Sequence, residues 1–180
     1  MLRASGYPSD PTFIGSPSLV RWRVPDLRGV SFGSPAAIVT SMGLIVGLNA
    51  ATTTKTAVVA SLLVIGLADN LTDSLSVHIY QESERLAHRR AFHTTISNFF
   101  ARLVVTLSFV LLFVLSPGST AIGACVIWGF VLLSGLSYLL AKARQVSAFS
   151  EICKHIGVAF AVMAISKMIG LWIQSVAGSA

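Results

Sequence analysis

Residues 57–84 read AVVASLLVIGLADNLTDSLSVHIYQESE. The first half of this stretch is too apolar for a surface helix, yet two carboxylates, Asp69 and Asp73, follow it one helical turn apart on one face. An ionisable side chain inside a membrane helix is costly and by default marks a functional site. The stretch therefore predicts a membrane-spanning helix that carries a functional pair of carboxylates.

The composition of the whole chain supports this interpretation. Of its 180 residues, 54% are hydrophobic and only 11% are charged, whereas an ordinary soluble domain carries about 25% charged residues. The net charge is +6, but the basic residues lie in short clusters between apolar runs. That pattern is typical of membrane proteins and not of a nucleic-acid-binding surface. We therefore predict an all-α integral membrane protein whose partner is the lipid bilayer, with no nucleic acid.

Five apolar runs of about 20 residues are each long enough to cross a hydrocarbon core of roughly 30 Å. The predicted transmembrane helices cover residues 32–49, 57–76, 95–115, 121–140 and 156–176. Residues 1–28 are predicted to form a flexible cytoplasmic tail, followed by a five-helix transmembrane domain over residues 29–180. Pro35 is expected near the start of the first helix, where proline is tolerated, and residues 142–154 are expected to be a polar connection.

The basic residues predict the orientation of these helices. Ten of them fall in the tail and in the second and fourth connections, against Lys55 alone on the opposite side. The positive-inside rule therefore predicts a cytoplasmic N-terminus, with a bacterial inner membrane as the default location. The two cysteines, Cys125 and Cys153, form no CxxC pair, so neither a disulfide framework nor a zinc site is predicted.

Two interpretations of the carboxylate pair remain open. Asp69 and Asp73 offer hard oxygen ligands that suit a divalent cation. Alternatively they form ion pairs with Arg102 or Lys167, the two basic residues inside other spans, and hold the bundle together. Enzyme motifs such as HExxH, GxSxG and the P-loop are absent, so we predict neither enzymatic activity nor a bound cofactor.

The chain resembles the vacuolar iron transporter family. The resemblance rests on residues 32–47, FGSPAAIVTSMGLIVG, and residues 64–84, VIGLADNLTDSLSVHIYQESE, and the number and orientation of the spans agree with it. It implies a five-helix fold, a homodimer, and export of Fe²⁺ or Mn²⁺ from the cytoplasm in exchange for protons. Asp69 aligns with an acidic position of the family, whereas Asp73 stands where the family has a glycine. In such a transporter both would be intramembrane ligands, and Glu82 and Glu84 a cytoplasmic approach for the metal.

The chain also departs from the family pattern. Ala36 stands where the family has an aspartate, and Val77 where it has a methionine. The acidic helical domain that many members insert after the second helix is reduced here to residues 81–92. A non-transporting scaffold or partner subunit of the same fold is therefore the alternative function, and Glu82 and Glu84 would then belong to a solvated charged face.

Overall fold

The protein is all-helical where its structure is described. The structure is a computed structural model that describes residues 27–51, 54–83 and 88–177. Its five long helices are α1 (Leu27–Ala51), α2 (Lys55–Ser83), α3 (His88–Leu115), α4 (Ala121–Arg144) and α5 (Ala148–Ala177), with a 3-10 turn at Gly118–Thr120. All five are long and apolar enough to cross a membrane. The predicted all-α fold with five candidate membrane spans is therefore confirmed.

Two expectations about helix boundaries are wrong. The connection predicted over residues 142–154 is only a short turn, because α4 continues to Arg144 and α5 begins at Ala148. A left-handed Gln145, with a φ of 56°, ends α4, and the pair between Lys154 Nζ and Glu151 Oε1, at 2.9 Å, supports the first turn of α5. Pro35 lies well inside α1 because that helix already begins at Leu27. The predicted tail otherwise falls outside the described residues.

The helices alternate in direction around α1, which packs against each of the other four. Of the five spans, α1 has the largest buried share, 39%, whereas α5 has the smallest, 17%. We call the end of the bundle at which α1, α3 and α5 begin the near end, and the opposite end the far end. At the far end, Lys55 Nζ donates to Ser116 O at 2.9 Å and so connects the start of α2 to the turn after α3.

Small residues bring the helices close together, as expected for packing in lipid. Gly129 on α4 leaves room for Met42 on α1, whose side chain is fully buried. Gly170 on α5 faces Gly47 on α1 so closely that an added methyl group would overlap the Gly47 carbonyl. The buried apolar side chains of α2 and α3, among them Leu62 and Phe109, lie in the far half of those helices. Side chains outside this apolar core therefore form the near half of the α2–α3 interface.

Candidate functional site

Arg102 on α3 is the centre of the candidate site. Its side chain is only 2% exposed, although it lies inside a candidate membrane span. One terminal nitrogen, Nη1, donates to Asp73 Oδ2 at 2.7 Å and to the backbone carbonyl of Gly33 at 2.9 Å. The other, Nη2, donates to Asp69 Oδ2. Arg102 thus connects α1, α2 and α3 and neutralises part of the charge on both aspartates.

The two carboxylates have a different environment from the arginine that binds them. The side chains of Asp69 and Asp73 are 44% and 41% exposed on the outer surface of α2. Only one oxygen of each carboxylate accepts a hydrogen bond among the described residues. Both residues lie in the middle and near part of a span that runs from Lys55 to Tyr80. The cluster therefore consists of a buried guanidinium and two partly exposed carboxylates.

Gly33 leaves room for the side chain of Arg102 to reach the backbone of α1. A side chain at this position would overlap Asn98 Oδ1 and would come within 2.6 Å of Arg102 Cδ. The absence of a Cβ therefore lets the α3 side chains reach the α1 backbone. This close approach explains why the carbonyl of Gly33 is within reach of the guanidinium.

A run of polar layers leads from this cluster towards the near end of the bundle. Because α2 and α3 are antiparallel, residues spaced four apart on one helix face residues spaced four apart on the other. We call this set the polar seam, and its members are Gly66, Asn70, Ser74 and His78 on α2 with Thr94, Asn98, Arg102 and Thr106 on α3. Gly66 contacts Thr106, Asn70 Nδ2 donates to Phe99 O at 2.9 Å, and His78 Nδ1 lies 3.4 Å from Thr95 Oγ1. These three contacts fix the register of the seam.

The burial of the seam is unusual for polar residues. Of the nine polar or charged side chains that are buried among the described residues, eight lie on α1, α2 or α3, and Ser137 on α4 is the ninth. Five buried side-chain atoms of the seam have no hydrogen-bond partner in the described protein. They are Asn70 Oδ1, Ser74 Oγ, Asn98 Oδ1, Asn98 Nδ2 and Arg102 Nε. A buried polar atom without a partner costs about 1–3 kcal/mol, so the seam is not explained by contacts within the chain.

The structure brings only some of the predicted site residues together. Asp69 and Asp73 share one guanidinium, and that guanidinium belongs to Arg102 and not to Lys167. Lys167 instead borders a cavity with Asn49 and Gln174 towards the far end of α1 and α5. Glu82 lies on the last turn of α2, about 20 Å along the helix axis from Asp69, and Glu84 is outside the described residues. The predicted approach by Glu82 and Glu84 therefore stays a prediction.

The asparagine, serine and threonine residues of the seam were not recognised as part of the site from the sequence. A signal was present, because Thr94, Asn98, Arg102 and Thr106 are spaced four apart, as are Asn70, Ser74 and His78. Ala36 and Val77, at the two positions where the family has ligands, have no donor atom in their side chains. Within residues 27–51, 54–83 and 88–177, no group of three or more His, Cys, Asp or Glu side chains is close enough to hold a metal ion.

Comparisons with known proteins leave the resemblance to the vacuolar iron transporter family a prediction. No protein-family model, no curated protein and no solved structure matches this chain.

Proposed function

We propose that this protein transports a divalent metal ion, such as Fe²⁺ or Mn²⁺, out of the cytoplasm, with Asp69 and Asp73 as its ligands within the membrane. The supporting observation is the contrast in exposure between the buried Arg102 and its two carboxylates, which are 44% and 41% exposed. A purely structural ion pair in a membrane bundle is expected to hide both partners from lipid. Here each carboxylate keeps an oxygen that no described donor engages, and hard oxygens suit these metals.

The charge of the cluster supports a homodimer as the transporting unit. Two carboxylates and one guanidinium leave one net negative charge in each chain, which does not neutralise a divalent ion. If the α2 helices of two copies faced each other, their two clusters would together carry two negative charges, which balance the charge of one divalent ion. On the same face of α2, Ile65 and Tyr80, four residues before Asp69 and seven residues after Asp73, are also exposed. A second copy would cover these side chains and the two carboxylates together, which avoids placing the charges in lipid.

The direction of transport follows from the predicted orientation. The near end, where Glu82 lies, is predicted to face the cytoplasm, so the metal would approach the carboxylates from this side. Export would be exchanged for protons, as the resemblance to the vacuolar iron transporter family implies. The membrane of a bacterial cell, with the N-terminus inside, is the proposed location.

A non-transporting scaffold is the second candidate, and a specific observation favours it. Arg102 binds both carboxylates at once, and the described residues supply no third acidic, histidine or cysteine ligand beside them. A metal ion at this site would have to compete with a guanidinium that is already in place. In the scaffold, the cluster would serve only to hold α1, α2 and α3 together.

Metal uptake into proteoliposomes distinguishes the two functions. The purified chain is reconstituted with a fluorescent indicator for Mn²⁺ or Fe²⁺, and the wild type is compared with the Asp69→Asn, Asp73→Asn double variant. We expect metal flux in the wild type and a loss of at least about tenfold in the variant, since removing metal-site groups commonly costs this much. Glu151→Gln is the matched control, because Glu151 pairs with Lys154 at the start of α5, outside the cluster.

Two results would contradict the proposal. A folded wild type without flux of either metal would favour the scaffold. A folded double variant that transports as fast as the wild type would show that the ligand assignment is wrong. Gel filtration in detergent and circular dichroism identify any variant that fails to fold.

A further inference from the structure

We propose that the polar seam between α2 and α3 is a hydrated path, in which water bound at Asn98, Ser74 and Arg102 joins the near end of the bundle to Asp73 and Asp69. The ligand of this site is water. Its binding does not depend on metal transport.

Several buried polar atoms of the seam lack hydrogen-bond partners. Asn98 is 0% exposed, yet neither Oδ1 nor Nδ2 has a hydrogen-bond partner among the described residues. The α2–α3 register places Ser74 opposite Asn98, and Ser74 Oγ also has no partner. Buried polar groups in proteins are nearly always hydrogen-bonded, either to protein or to ordered water. Because Asn98 also packs against Gly33, these unpaired atoms surround the junction of α1, α2 and α3, and they are therefore expected to hold water.

The guanidinium of Arg102 has a small cavity beside it. A cavity of about 10 Å³ lies where α1, α2 and α3 meet, and it is bordered by Ser41, Gly66, Asp69, Arg102 and Thr106 among others. A cavity of about 10–15 Å³ is the minimum that holds one water molecule, and a bound water needs two to four polar partners. The hydroxyl, carboxylate and guanidinium groups at this cavity provide that number. Arg102 Nε is a further buried donor without a partner.

The two ends of the seam differ, because apolar side chains follow it towards the far end and polar side chains continue it towards the near end. Towards the far end, Leu62 and Phe109 follow the Gly66–Thr106 layer, and both side chains are 0% exposed. Towards the near end, the seam continues through His78, which is half-buried and lies 3.4 Å from Thr95 Oγ1. The seam is therefore polar towards the near end, while an apolar layer closes it towards the far end.

The competing explanation is a dry seam that acts only as an adhesive between helices. Polar side chains do stabilise helix pairs in membranes through hydrogen bonds across the interface. That explanation requires Asn98 and Ser74 to bond to neighbouring side chains, and in this structure they do not. A dry seam would leave the unpaired atoms as an uncompensated cost.

Water contact of the asparagine side chains tests the proposal directly. The chain has only three asparagines, Asn49, Asn70 and Asn98, so ¹⁵N-labelling of asparagine and phenylalanine gives three side-chain amide signals beside the backbone amides, all assigned by single substitutions. The full-length protein in liposomes is measured by solid-state NMR with magnetisation transferred from water. Asn49 is exposed and serves as the wet reference, and the backbone amide of the buried Phe109 serves as the dry one.

We expect the Asn98 signal to build up within about a factor of two of the Asn49 signal, because a bound water would lie in hydrogen-bond contact with it. Build-up as slow as that of Phe109 would overturn the proposal. The Asn98→Leu variant should also slow the Asn70 signal, while Ser108→Ala, on the α4-facing side of α3, should not. An unchanged Asn70 signal in a folded Asn98→Leu variant would count against a continuous path. Neither measurement uses metal, so a failure here is separate from a failure of metal uptake.

Discussion

Removal of the guanidinium at Arg102 gives the sharpest prediction about the stability of the bundle. Arg102→Met keeps a long apolar side chain but removes three charge-assisted hydrogen bonds, to Asp69, Asp73 and Gly33 O. Removing one partner of a buried ion pair typically costs about 3–5 kcal/mol. Because both carboxylates are partly exposed, we expect the lower end of that range, about 3 kcal/mol in the free energy of unfolding.

The double variant Asp69→Asn, Asp73→Asn is expected to cost at least as much, because it leaves a nearly fully buried arginine without an anion. The triple variant, in which Arg102→Met is added, leaves no unpaired charge. We therefore expect it to be more stable than the sum of the two losses predicts, by at least about 2 kcal/mol, since groups in one network are strongly coupled.

The assay is unfolding in mixed micelles by increasing fractions of sodium dodecyl sulfate, followed by circular dichroism. Lys167→Met is the matched control, because Lys167 is also a cation within a span but forms no ion pair among the described residues. It should change the stability by less than about 0.5 kcal/mol. Additive losses in the triple variant, or equal losses for Arg102→Met and Lys167→Met, would refute the account of the cluster.

The remaining predictions concern close packing and use the same unfolding assay. Gly33→Ala should destabilise the protein by about 1–3 kcal/mol, because the new methyl group overlaps Asn98 Oδ1. Gly135→Ala is its control, since a Cβ there meets nothing within 4 Å. Equal effects of the two variants would contradict the close contact between α1 and α3 at Gly33. Gly170→Ala should loosen the contact of α5 with Gly47, whereas Gly157→Ala on the same helix should be neutral or stabilising, since its surroundings are open and alanine favours the helix. The reverse order of these two variants would show that α1 and α5 do not pack as described.

The sequence was sufficient to predict the five membrane spans but not to predict which helices pack against one another. Apolar runs of about 20 residues mark spans wherever they occur, and for this reason the five spans could be predicted. The start of α5 was missed because its first two turns carry Glu151 and Lys154, which look like a loop until their pairing across one turn is seen. A span is recognised by its apolar residues, so polar helical turns that extend the helix beyond the apolar run are not predicted.

The partner of the aspartates shows a different limit. Arg102 and Lys167 were equal candidates, since hydropathy does not reveal which helices touch. The choice of Arg102 depends on α3 lying beside both α1 and α2, and on Gly33 making room for the arginine. Asn98 and Ser74 were open to detection, because their four-residue spacing repeats on both helices, but only the antiparallel register shows that the two rows face each other.

The most direct test of the central claim is whether a divalent cation binds at Asp69 and Asp73. Electron paramagnetic resonance of Mn²⁺ added to the protein in lipid nanodiscs measures bound and free metal without any need for flux. The account predicts bound Mn²⁺ in the wild type and in Glu151→Gln, and its loss in the Asp69→Asn, Asp73→Asn variant. Equal Mn²⁺ binding in the folded double variant and the wild type would contradict it.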